Sequence, residues 1–293
     1  RGPAGLFGGS GEPGGAINMR LKQAPERFQG RVSTTLGSWN NRRIEGDVGG
    51  PLNDAGTLRG RLVGAFGKSD HFVDHVDNQI GTIYGTLQAD ITENTTATLS
   101  INHQKRDITP FNGLPAVLGG TELLDIDRST FTGMAWNHFE STITDYIGEI
   151  EHRFDDGGHV KASARYSDRS ADYLYAFAGS GATANGVISR VNWTARTFEE
   201  TALALDAHVS KPFELWGKEN NLIVGADYRN FSNSWINLSG FQMGSFDLNN
   251  WNPNAVLRPS LNFAAGAPTA SDLRQYGVYG QWRFKPLDNL TLI

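Results

Sequence analysis

The feature that most restricts this chain is an alternation of period two that begins near residue 29 and returns, with interruptions, up to the last residue. In residues 80–91, Gly81, Ile83, Gly85, Leu87, Ala89 and Ile91 fall on one side of an extended backbone, and Thr82, Tyr84, Thr86, Gln88 and Asp90 on the other. Residues 96–107 set Ala97, Leu99 and Ile101 against Thr98, Ser100, Asn102 and Gln104, and residues 57–68 set Leu58, Gly60, Leu62, Gly64 and Phe66 against Arg59 and Arg61. A helix has no use for that period. The chain must therefore be built from strands with one apolar and one wet face.

The spacing predicts strands at 29–38, 42–52, 57–68, 78–91, 96–107, 142–154, 159–176, 188–212, 221–236, 273–286 and from 290 onward. A soluble β-sandwich also alternates, but its strands run to about 5–6 residues. Several strands here need a dozen or more. Short turn-forming runs separate some of them: Asn53-Asp54-Ala55-Gly56, Glu93-Asn94-Thr95, Asp155-Asp156-Gly157-Gly158 and Leu287-Asp288-Asn289. Other connections, 108–141 and 236–272, are long, aromatic and polar. Short turns on one side and long loops on the other are the layout of an outer-membrane barrel, with turns periplasmic and loops extracellular.

The faces support that assignment. A Lys or Arg facing mid-bilayer costs roughly 2–4 kcal/mol. Arg59, Arg61, Lys161, Arg165, Arg229, Arg283 and Lys285 all take the register opposite to the apolar set, as lumenal residues should. Tyr146, Phe154, Tyr166, Tyr228, Trp282 and Phe284 accompany the apolar set and are expected near strand ends as interfacial girdles. Among 293 residues, 35 glycines and 11% aromatics fit a chain of strands and turns. No stretch approaches the ~20 apolar residues of a spanning helix. Cysteine is absent and the net charge is −5, so disulfides and thiolate metal sites are excluded and a nucleic-acid surface is not expected.

The first twenty residues follow another logic. R-G-P-A-G-L-F-G-G-S-G-E-P-G-G-A-I-N-M-R is rich in glycine, with Pro3 and Pro13. Gly9, Gly11 and Gly14 match G-x-G-x-x-G, but no strand precedes them and no apolar helix follows, so a dinucleotide loop is not expected. A disordered linker would not run without a polar spacer into Ala16-Ile17-Asn18-Met19. The pattern R-G-P-x-x-x-x-x-G-x-x-x-P-G-G-x-I-N resembles the end of the plug domain of TonB-dependent outer-membrane ferric-siderophore receptors. The resemblance continues in G-S-W-N-N at 37–41, D-V-G-G-P-L-N-D-A-G at 47–56 and W-R-F-K-P-L-D-N-L-T-L-I at 282–293. It covers essentially the whole chain, and the hydroxamate and pyoverdine-type members are the most similar.

That resemblance implies an all-β, transmembrane antiparallel barrel, with residues 1–28 ending the plug and 29–293 forming the N-terminal half of the wall. Roughly half of ~22 strands would be present. The chain opens inside a motif and stops inside a strand, and it is expected to be a piece of a longer receptor. The family role implied is binding of a ferric siderophore at the surface of a Gram-negative cell and import into the periplasm. Its partners would be the chelate, the TonB energy-coupling complex and outer-membrane lipid, with no cofactor because iron arrives chelated. By the same resemblance Arg1 pairs with barrel carboxylates, since an unpaired buried guanidinium is strongly unfavourable. A passive diffusion barrel, a surface adhesin, or a TonB-dependent importer of another cargo such as cobalamin are the alternatives.

Rigid aromatic faces hold a bulky, partly apolar chelate at low entropic cost. Phe111, Trp136, Phe139, Tyr175 and Trp251 lie at or beyond the predicted extracellular strand ends and are the candidate contacts. His71 and His75, with Asp70 and Asp74, have the H-x-x-x-H spacing of a helical metal pair. They fall in a predicted hairpin connection where that period does not apply, so a solvated loop is expected and no metal centre. No nucleophile elbow or paired-carboxylate motif points to an enzyme.

Overall fold

The structure is a computed structural model and describes residues 20–120, 124–287 and 289–293. Among the described residues eleven strands follow one another: β1 (Gln29–Gly37), β2 (Asn41–Pro51), β3 (Leu58–Asp70), β4 (Asp77–Thr92), β5 (Thr95–Ile108), β6 (His138–Arg153), β7 (His159–Ala178), β8 (Val187–Leu215), β9 (Lys218–Asp247), β10 (Thr269–Leu287) and β11 (Leu290–Leu292). Each pairs antiparallel with the next, giving one sheet with β1 and β11 at its edges. The expected all-β antiparallel wall is what forms.

Directly opposed residues in antiparallel strands share a face, so the register carries each face across the sheet. One row runs Gly60, Leu87, Leu99, Gly148, Ala164, Leu205, Tyr228 and Tyr276. The adjoining row, Arg61, Thr86, Ser100, Ile147, Arg165, Ala204, Arg229 and Gln275, takes the other face. The first face is apolar yet open: Leu99 is 66% exposed and Val278 88%. A groove of about 990 Å³ over Val48, Leu62, Leu99, Tyr146 and Tyr166 belongs to this outer, apolar surface. The second face is the inner one.

Two aromatic levels bound the apolar band. At the end with the short turns, Phe213 lies 6.4 Å from Trp282, and Trp216 lies 5.8 Å from Phe284. At the other level Tyr146 meets Tyr166 at 6.4 Å, and Tyr228 opposes Tyr276. Tyr146 and Tyr166 were expected near strand ends but sit in mid-strand, because β6 and β7 continue well past the band.

The same overshoot changes β9. Alternation predicts 221–236, whereas the strand runs from Lys218 to Asp247, and the following connection begins at 248 rather than 236. Above the apolar band neither face needs to be greasy, so the sequence loses its period while the backbone keeps pairing with β8. Tight turns close the ends of two hairpins: Trp39 and Asn40 (φ 51° and 56°) between β1 and β2, and Trp216 and Gly217 (φ 56° and 68°) between β8 and β9. Two consecutive positive φ values match the twist of the flanking strands. The five turns at the Trp216 end are short. The opposite end carries the long connections 109–137 and 248–268.

Residues 20–28 lead into β1 from the inner face. The Arg61 guanidinium forks onto Asp47 (Nε to Oδ1 2.8 Å, Nη2 to Oδ2 2.7 Å) and donates from Nη1 to the Gln23 carbonyl at 3.0 Å. Lys22 reaches Asp47 at 2.8 Å, and the Tyr84 hydroxyl donates to the Lys22 carbonyl at 2.7 Å. Gly49 is obligatory here, since a Cβ would lie 2.7 Å from Pro25 Cδ and 2.9 Å from the Gly60 carbonyl oxygen. The D-V-G-G segment thus supplies both the anchoring carboxylate and the room for the chain to cross. Arg1 and the R-G-P to I-N motif lie outside the described residues.

Candidate functional site

The long-loop end holds a small core of its own. Met134, Ile188, Val191, Phe246, Leu248 and Val256 are buried together, with Trp136, Trp193 and Trp251 packed against them. Both loop indoles are spent on backbone: Trp136 Nε1 donates to the Val256 carbonyl (3.0 Å) and Trp251 Nε1 to the Gly133 carbonyl (2.8 Å). The two bonds tie loops 109–137 and 248–268 to each other. Gly133 admits no side chain, because a Cβ would fall 2.3 Å from both Asn137 Nδ2 and Phe131 Cζ.

Register places this core on one face of the sheet. Ala176, Ala178, Val191 and Trp193 belong to it, and Ala176 opposes Trp193 in the row that continues the outer face. Phe139 and Tyr175 are odd-numbered on the same strands and take the inner face. There, Phe139 stacks on Tyr173 with centroids 5.5 Å apart and planes 10° apart, Tyr173 meets Tyr175 at 5.4 Å, and Tyr175 meets Phe177 at 6.0 Å. The Arg196 guanidinium lies 5.7 Å from the Tyr173 ring centroid, within cation–π range. Phe198 and Trp235, opposed one step nearer the membrane band, add to the same face. Below them the inner face turns polar, with Arg169 on Glu200 at 2.8 Å, and Arg165 and Ser167 both bonded to Asp145.

The five aromatic candidates therefore separate. Phe139 and Tyr175 join one inner-face surface. Trp136 and Trp251 pack in the core on the opposite side of the sheet, and Phe111 pairs with the buried Phe131 at 6.1 Å under loop 109–137. Tyr173, Phe177 and Arg196 complete the surface without having been singled out in the sequence, although Y-x-Y-x-F at 173–177 puts three rings on one face of a strand. His71 and His75 take different partners: the His71 ring lies 4.2 Å from Phe72 and its Nδ1 accepts from the Val73 amide, whereas His75 lies 5.5 Å from Phe131. Nearby, the Ser129 amide donates to Asp127 at 2.8 Å and holds that carboxyl below its usual range, and the Ser129 hydroxyl reaches Asp74 at 3.2 Å. Among the described residues no group of three or more His, Cys, Asp or Glu side chains is arranged to hold a metal.

The chain resembles known proteins in both sequence and fold. The family model described as "TonB dependent receptor-like, beta-barrel" matches residues 83–293. The ferric-pyoverdine M114 receptor PbuA of Pseudomonas sp. (strain M114) is 30% identical over all of this chain and 36% of its own length. The ferripyoverdine receptor of Pseudomonas aeruginosa is 29% identical over all of this chain and 36% of its own. The chain thus spans little more than a third of those relatives. The crystal structure of the ferripyoverdine receptor of the outer membrane of Pseudomonas aeruginosa bound to ferripyoverdine shares the fold, with a TM-score of 0.83 and 24% identity over 92% of this chain and 36% of that one. With an apolar outer face and eleven successive strands among the described residues, the chain belongs to the TonB-dependent receptor β-barrel family of the outer membrane.

Proposed function

We propose that this chain is part of a receptor that binds a ferric siderophore at the cell surface and imports it into the periplasm with energy supplied through the TonB complex. Residues 1–28 would end the plug, and 29–293 would form the first half of the wall, with the long loops extracellular. The observation that carries this reading is the inner-face surface of Phe139, Tyr173, Tyr175 and Phe177 with Arg196 at its edge. It gives a bulky chelate flat apolar contact and one cation, and leaves iron coordination to the chelator. Phe139 and Tyr175 are the proposed contacts, while Phe111, Trp136 and Trp251 pack within the long loops. Arg1 keeps its proposed role as a plug-to-wall contact. The ferric-pyoverdine ligands in the names of two relatives support the choice of cargo class.

Titration of the purified full-length receptor with ferric pyoverdines, ferrioxamine B and cobalamin, followed by tryptophan quenching, tests this. A ferric siderophore should bind, and Tyr175→Ala should weaken it by about 2 kcal/mol if a central anchor is removed. Binding of cobalamin alone, or an unchanged Kd in Tyr175→Ala, would overturn the assignment.

A further inference from the structure

The contacts of residues 20–28 go beyond what a connection into β1 requires. Three strands converge on two consecutive residues: Asp47 of β2 holds the Lys22 ammonium, Arg61 of β3 holds the Gln23 carbonyl, and Tyr84 of β4 holds the Lys22 carbonyl. The charged centre is sheltered, since the Asp47 side chain is only 9% exposed and the Arg61 side chain 16%. Its hydrogen bonds close a ring from Asp47 to Arg61 to the segment and back through Lys22. Ala24 is buried just beyond, and Pro25 is seated in the space left by Gly49. A part-buried ion pair that forks and is also bonded to backbone opens less readily than an exposed one, because each partner left behind would be a poorly solvated charge. The same residues face the inside of the barrel, where the proposed transport cycle must displace something.

We infer that Asp47, Arg61 and Tyr84 form a permanent anchor for the end of the proposed plug, so that residues 20–28 stay on the wall throughout uptake. These are positioning residues. They act by holding residues 20–28 against the inner face of β2–β4. The inference rests on the transport reading above for its context, but the anchor itself is a property of this wall.

The test uses the full-length receptor carrying Ala24→Cys, at a buried position whose side chain takes no part in the anchor contacts described. Its labelling by a thiol reagent supplied from the periplasmic side is compared in energised and de-energised membranes with ferric siderophore present. The expected result is equal, slow labelling in both states while chelate crosses. Adding Asp47→Asn should raise energised labelling by roughly tenfold or more through local opening, with chelate Kd unchanged. Tyr84→Phe should raise it less, and it serves where Asp47→Asn fails to assemble. Trypsin cleavage after Lys22 in the purified receptor decides the anchor independently of uptake, and slow cleavage in the parent with faster cleavage in Asp47→Asn is expected, because the Lys22 ammonium is held by Asp47. Cleavage after Lys22 as fast in the parent as in the anchor variants, or labelling of Ala24→Cys that rises on energisation without any second change, would overturn the anchor. Slow cleavage in a receptor that moves no chelate would count against the transport reading alone.

Discussion

Asn137 uses every hydrogen-bonding site it has. Its Oδ1 accepts from the Ala176 and Met134 amides (2.8 and 3.2 Å), and its Nδ2 donates to the Ala176 and Pro110 carbonyls (3.0 and 3.2 Å). Two donors and two lone pairs are the full inventory of an amide side chain. Asn137→Ala would leave buried backbone groups unpaired at the junction of loop 109–137 with β7, at a cost of about 2 kcal/mol or more. Proteinase treatment of intact cells should then cut loop 109–137 faster than in the parent receptor. Trp136→Phe and Trp251→Phe should each cost about 1 kcal/mol, the net value of one hydrogen bond, and leave the chelate Kd unchanged, in contrast to Tyr175→Ala. Equal loss of affinity in all three would return the two tryptophans to the binding surface. Sequence could not separate them, because a loop has no period from which to read a face. Phe139 and Tyr175 lie in strands, where odd and even numbering decides the side, and the same rule would have found Tyr173 and Phe177.

At the scale of the element, the strands were legible wherever the membrane imposes two different solvents. β3, β4 and β5 begin and end within about two residues of their expected limits, the ordinary margin for boundaries. Above the apolar band the rule lapses. N-L-S-G-F-Q-M-G-S-F-D at 237–247 has no clean alternation, and only its pairing with β8 makes it a strand. The alternation of short turns with long loops also predicts sidedness, which can be checked directly. Gly119 has positive φ (66°) with open space where a Cβ would project, and Asn94 sits in the exposed turn between β4 and β5. An epitope inserted at Gly119 of the full-length receptor should be reached by antibody on intact cells, and one at Asn94 only after the outer membrane is opened. The reverse pattern would invert the whole sheet.

As a whole, the described residues form a single curtain of neighbouring strands, each contacting chiefly the strand before and the strand after it. Among the described residues no second layer covers the apolar band of the outer face, and β1 and β11 have no partner on their far sides. Unpaired edges template further pairing, and open apolar faces associate in water. Residues 1–293 expressed alone should therefore aggregate, whereas the full-length receptor should migrate as a heat-modifiable barrel in detergent. A monodisperse, cooperatively melting fragment would mean that these strands close on themselves. The division of labour between the two sides of β7 has a longer reach. Leu174 and Ala176 are sealed into the scaffold, while Tyr173, Tyr175 and Phe177, interleaved with them, face the mouth. In the proposed receptor every second residue is free to follow whatever nutrient the surroundings supply, and its neighbours stay put. A lineage could thus change its diet by exchanging alternate letters of one short word, without rebuilding the frame on which that word is written.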